Sequence, residues 1–146
     1  MSVSCDVRRG LVALLIPTLF MAGAAGCAVV SCGSPPPEQI PGLLEEADIV
    51  LTPEAELVGV GYGCWQDDSM YLTIAVPPTS ADDLLHASGV RTPLPLLASS
   101  AYVGDGSSFS TIEPGPGIFM AVEPDRSRDV VVDSSDPDRT MIYVDF

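Results

Sequence analysis

Residues Leu11 to Gly26 carry no charge, and this run decides how much of the chain is left to fold. It follows Arg8 and Arg9 and ends in Ala24-Ala25-Gly26-Cys27. A cationic start, an apolar middle and small residues at the end form the three-part layout of an export signal. The cations stay on the cytoplasmic side, the apolar part enters the bilayer, and small residues fit the narrow site of a signal peptidase. Its removal leaves roughly 115 to 120 residues, enough for one domain with one core. The apolar fraction of 47% is raised by this segment, so the remainder is more polar than the whole.

Ala24-Ala25-Gly26-Cys27 resembles the lipobox of bacterial lipoproteins, in which the peptidase cuts before a cysteine that carries diacylglycerol. Val29-Val30-Ser31-Cys32 fits the same loose pattern five residues later. Cysteine parity favours Cys27 as the lipid site. It leaves Cys32 and Cys64 free to pair in an oxidising space, whereas lipidation of Cys32 strands Cys64. The alternative for this pair is an unbridged state, with Cys64 as a small buried apolar residue. An uncleaved anchor is a second reading of the leader, since the charge-free stretch continues to Pro37 and is long enough to span ~30 Å of hydrocarbon. Pro17 and the small residues argue against it. Arg8-Arg9-Gly10 also resembles a twin-arginine export signal, with Val7 in place of the usual polar residue. Leader and general style together look like the small lipoproteins of high-GC Gram-positive (actinobacterial) bacteria. That resemblance implies a lipid-anchored protein on the extracytoplasmic face of the cell membrane; it covers the leader and the general style and does not extend to any active site.

Charge narrows the partners. Twenty acidic residues stand against six arginines and no lysine, for a formal net charge of −14. Past the leader the cations are Arg91, Arg126, Arg128 and Arg139. Nucleic acid is bound through clusters of Lys and Arg, so no nucleic-acid partner is expected. An anionic lipid surface would repel the domain, which leaves membrane attachment to the lipid anchor. The expected partner is an envelope protein or a ligand.

The expected organisation is residues 1–26 as signal, 27–41 as lipidated cysteine and Pro/Gly/Ser-rich tether, and 42–146 as an acidic α+β domain. Leu43 to Asp48 can form a short helical turn. From Glu56 to Trp65, alternation puts Val58, Val60, Tyr62 and Cys64 on one face and Gly59, Gly61 and Gly63 on the other. Met70 to Val76 alternates in the same way after a polar turn, which makes a hairpin ended by Pro77 and Pro78. Ser80 to Ser88 reads as a helix with Ser80 as N-cap and Gly89 closing it. Arg91 to Gly117, with Pro93, Pro95, Pro114 and Pro116, reads as a long irregular loop. Strand patterns return at Gly117 to Glu123, Asp129 to Asp133 and Arg139 to Phe146. The expected fold is therefore a small, mainly antiparallel sheet of four to five strands with one main helix packed on it. No internal repeat is evident.

Candidate chemistry is sparse. His86 is the sole histidine, and near a helix end its bland role is to complement the dipole. A secreted hydrolase combining His86 with Ser107, Ser108 or Ser110 is the alternative function, although no Gly-x-Ser-x-Gly elbow is present. Asp67, Asp68, Asp82, Asp83, Asp133, Asp136 and Asp138 could offer oxygen to calcium, yet no complete calcium loop is met and turn formation explains them better. No metal, cofactor or catalytic set is expected. The glycine ladder Gly59, Gly61, Gly63 is the most unusual feature. Either the helix or the long loop packs closely on bare backbone there, or a flat groove bordered by Tyr62 and Trp65 takes an extended peptide or lipid chain.

Overall fold

The computed structural model describes residues 33–63, 69–105 and 108–146. It is a mixed helix-and-sheet domain. The first element is a 3-10 turn at Pro37–Gln39, which runs into α1 (Ile40–Glu46). Then come β1 (Glu56–Tyr62), β2 (Met70–Val76), a 3-10 turn at Pro78–Ser80, and α2 (Ala81–Ala87). A second hairpin, β3 (Ala101–Asp105) with β4 (Ser108–Ile112), precedes β5 (Ile118–Glu123), β6 (Arg128–Asp133) and β7 (Thr140–Asp145). Five strands form one antiparallel sheet in the order β1-β2-β7-β6-β5, and β3 pairs with β4 alone.

Strand alternation gives the sheet two apolar faces. Leu72, Ile74, Val130, Ile142 and Val144 point to one face, each at most 1% exposed, and the two helices close over it with Leu43, Leu84 and Leu85. Tyr71, Thr73, Val131 and Tyr143 point to the other, where Ala101 and Val103 of the β3–β4 hairpin cover them together with Leu97 and Ile118. The domain thus has three layers: helices, sheet and hairpin.

Two expectations change here. The five strands read from the sequence are those of the sheet, but the stretch from Arg91 to Gly117 is not one irregular loop, because β3 and β4 lie in its middle. There are two helices of equal length instead of one main helix. Residues ahead of Gly42 make contacts of their own. Pro35 is buried, the Gly33 carbonyl accepts the Tyr62 backbone N–H at 3.3 Å, and the Tyr62 hydroxyl donates to Gln39 Oε1 at 3.0 Å. Proline suits the first turn of a helix, where its missing N–H has no intrahelical partner to lose. The proline run that reads as a tether is in part a helix start.

The helices also reveal a repeat that the residues hide. Each boundary of the second helical unit lies 41 residues after the first, at 37 and 78, 40 and 81, 46 and 87. Each unit follows a proline with φ −57° (Pro36 and Pro77) and carries a Leu-Leu pair. Each ends in a residue of positive φ, Asp48 at 56° and Gly89 at 66°. The closing bonds match too: Ile49 N–H to Leu44 O and Asp48 N–H to Glu45 O in one, Val90 N–H to Leu85 O and Gly89 N–H to His86 O in the other. This is the Schellman arrangement, which satisfies carbonyls left open at a helix end. Ser80 stands before α2 as expected, but its hydroxyl donates to Glu54 and makes no cap bond.

Candidate functional site

The glycine ladder is where the sequence points first. Gly59 pairs with Thr73 and Gly61 with Tyr71, so both face the hairpin layer, and both are buried. A β-bulge between Leu57 and Gly59 breaks the expected alternation and leaves Val58 41% exposed while Val60 is 8% exposed. The bare backbone is covered by the former long loop, the structural alternative to a groove. The contact is close. The Thr73 hydroxyl donates to Gly104 O at 2.5 Å, and the Tyr71 ring meets Phe109 edge-on with centroids 5.1 Å apart. Gly63 is half-buried and its N–H bonds Ser69 O at 2.7 Å. Gly59 and Gly61 thus lie on the part of β1 that β3 approaches. Cys64 and Trp65, like Cys27 and Cys32, lie outside the described residues.

A concavity lies beside this contact. A cleft of ≈ 190 Å³ runs between the β3 backbone and the β6–β7 end of the sheet, with Val103, Met120, Val131 and Tyr143 on its walls. Asp129 and Asp145 stand at the same cleft, directly opposite each other across β6 and β7. Like charges opposite each other in a sheet are unfavourable. Partial burial holds the Asp145 carboxyl above the ordinary carboxylate value, the Asp129 charge adds to this, and a bond from the Phe146 backbone opposes it. Burial raises Asp129 as well. Among the described residues no arginine lines the cleft. Its field favours a positively charged group, with the apolar walls able to hold an aliphatic stem.

A raised carboxyl value makes the folded state the stronger proton acceptor. As pH falls from neutral towards the unfolded value of about 4, the folded protein takes up protons first, so stability from this pair rises with falling pH. Asp145→Asn is expected to raise the midpoint of thermal unfolding at pH 7, with an advantage over wild type that shrinks towards about pH 4. An advantage that grows as pH falls would show that the two carboxylates are not in conflict.

The remaining candidates are dispersed. His86 is exposed in the last turn of α2, on the helix side of the sheet, while Ser110 lies on β4 in the hairpin layer. Ser108 is also on β4, and Ser107 lies outside the described residues. The sheet stands between His86 and these strand serines, so the layering does not bring a Ser-His pair together. Asp133 and Asp136 are turn formers: Asp133 Oδ1 accepts from the Ser135 N–H and hydroxyl, and Asp136 Oδ1 accepts from the Asp138 N–H. Asp82 and Asp83 are exposed in the first turn of α2, and Asp67 and Asp68 lie outside the described residues. Among the described residues no group of three or more His, Cys, Asp or Glu is placed to hold a metal ion.

Sequence reasoning missed Arg128. Its side chain is wholly buried and ion-paired to Glu123 Oε2 at 2.6 Å. Its other nitrogens donate to Ala47 O at 2.6 Å, Asp48 O at 2.8 Å and Ser88 O at 2.8 Å. These carbonyls end α1 and α2, where the helix dipoles place negative charge. Arg126 joins the same helix ends from the surface, through Asp48 Oδ2 at 2.5 Å and Ser88 O at 3.1 Å. Two of the four arginines among the described residues are thus structural clamps.

Fold and site together define a three-layer α+β domain with an acidic cleft on the hairpin side of its sheet. Compared with protein-family models, with curated proteins and with solved structures, the chain finds no match in any of the three. Among the described residues no helix is long and apolar enough to cross a membrane.

Proposed function

We propose that this chain is a lipoprotein precursor, cut before Cys27 and held by acyl chains on the extracytoplasmic face of the cell membrane. There its domain serves as a binding or accessory module of the envelope. The observation that carries this reading is the charge-free run from Leu11 that ends at Ala24-Ala25-Gly26-Cys27 behind two arginines. The cleft at Asp129 and Asp145 supports a binding role, for a partner that presents a positively charged group.

Intact mass spectrometry of the protein extracted from its native membrane tests the address. A diacylglycerol-modified species beginning at Cys27, lost in Cys27→Ala and kept in Cys32→Ala, is the expected outcome. An unmodified full-length mass would mean an uncleaved, signal-anchored protein. The same spectra, taken after alkylation without reduction, report on Cys32 and Cys64. Their neighbours support a bridge, since Gly33 is hydrogen-bonded to Tyr62 and each cysteine follows or precedes that contact by one or two residues. Bridging removes two thiol protons and two electrons, which pass to the disulfide of an exchanging oxidoreductase. Alkylation of neither cysteine is the expected result, and alkylation of both would show that the pair is free.

A further inference from the structure

We infer that the folded body is strapped directly against the bilayer by the corner formed by β1 and the Pro37–Gln39 turn, and is not held off it on a long spacer. The inference rests on the proposed lipidation of Cys27 and goes on to say which surface meets the membrane.

The argument is one of reach. A spacer from Cys27 to Pro41 would extend up to about 50 Å when fully stretched. The structure shortens it. The chain is already fastened at Gly33, whose carbonyl accepts the Tyr62 N–H, and Pro35 is buried directly after. Gln39 N–H then bonds Pro36 O at 2.9 Å, and Gln39 takes the Tyr62 hydroxyl. Six peptide steps separate Cys27 from Gly33, which span at most about 20 Å. With the acyl chains of Cys27 in the hydrocarbon, part of that length is used in crossing the headgroups.

The corner that carries Gly33 is therefore the surface nearest the lipid. Its exposed groups are Ser34, Pro36, Pro37, Glu38 and Gln39, with the half-buried Tyr62 beside them. The chain's formal net charge of −14 offers no electrostatic attraction to anionic lipid. The surface it fits is an uncharged or zwitterionic headgroup layer, and the short strap supplies the proximity. β5 is the far edge of the sheet, four strands from β1. The face around β5 and β6 is left open to the envelope space.

The sole tryptophan reports the distance. Trp65 is two residues beyond Gly63, so its Cα lies within about 7 Å of the Gly63 Cα. Lipidated protein from its native membrane would be reconstituted into phosphatidylcholine vesicles carrying a trace of dansyl-labelled phosphatidylethanolamine. Energy transfer from Trp65 to the dansyl groups would be compared with that of a variant carrying twelve Gly and Ser residues inserted after Ala28. The insertion adds about 20 Å of mean reach, and transfer is expected to fall at least about twofold while both proteins float with the vesicles. Equal transfer from the two floating proteins would overturn the inference and leave the anchor intact. Failure of the wild-type protein to float would remove the lipid anchor itself, and the strap with it.

Discussion

Replacing Arg128 with methionine is expected to destabilise the domain by about 3–5 kcal/mol, a large share of the stability of a domain this size. The guanidinium is buried and donates from all three of its nitrogens, with Glu123 on Nε and the helix-end carbonyls of Ala47, Asp48 and Ser88 on its two terminal nitrogens. Methionine fills much of the volume but leaves the Glu123 carboxylate, itself 12% exposed, without its cation. It also leaves the Ala47 and Asp48 carbonyls without the guanidinium, while Ser88 O keeps only its bond from Arg126, and a buried polar group stripped of its partner loses more than the bond was worth. Arg128→Lys keeps the charge but not the planar fork, so it recovers only part of the loss. Arg126→Met is the comparison, because that side chain is 38% exposed and its ion pair with Asp48 is solvated. A change below about 1 kcal/mol is expected for it. Urea unfolding at neutral pH measures all three, and a midpoint for Arg128→Met within error of wild type would mean that the clamp holds nothing together.

Gly104→Ala is expected to destabilise by about 2–3 kcal/mol. A Cβ at this position would stand 2.1 Å from Cγ and Cδ2 of Tyr71, the root of a ring that is 5% exposed and packed edge-on against Phe109. The ring cannot swing aside as a long flexible chain would, so the hairpin must lift from the sheet. Lifting also breaks the bond from Thr73 to Gly104 O. Gly42→Ala provides the contrast, since nothing lies within 4 Å of its Cβ and it sits in α1. That variant is expected to be neutral or more stable by up to about 1 kcal/mol. Thermal unfolding of both separates a steric effect from a general loss of glycine. Equal midpoints for the two would show that hairpin and sheet are not in close contact.

The five-stranded sheet could be read from the sequence because period-two alternation marks β1 and β2 and short apolar runs between turn residues mark the last three strands, and α2 because carboxylates, Leu84-Leu85 and Gly89 fall at helical positions. The β3–β4 hairpin could not. Its residues, from Ala101 to Ile112, are short, rich in serine and glycine, and flanked by prolines. Those are the marks of a loop when seen locally. What makes them strands is the covered face of β1 and β2, a partner distant in sequence. The bulge at Val58 was hidden for a similar reason, since an inserted residue flips a pattern without changing its composition. The helix repeat escaped because only the prolines and the Leu-Leu pair are shared, while the matching closures use aspartate in one unit and glycine in the other. The cleft was missed because Asp129 and Asp145 sit sixteen positions apart and meet only through strand register.

The order of strands across the sheet has a consequence for how such a chain comes into being. β7, the latest strand in sequence, lies in the middle, between β2 and β6. Until Thr140 to Asp145 is available, the early hairpin β1–β2 and the late hairpin β5–β6 have no common neighbour, and neither can bury its inner face on the other. A polypeptide threaded through a translocon from its first residue onward would thus stay open along almost its whole length during passage. It would close only once the final strand had emerged.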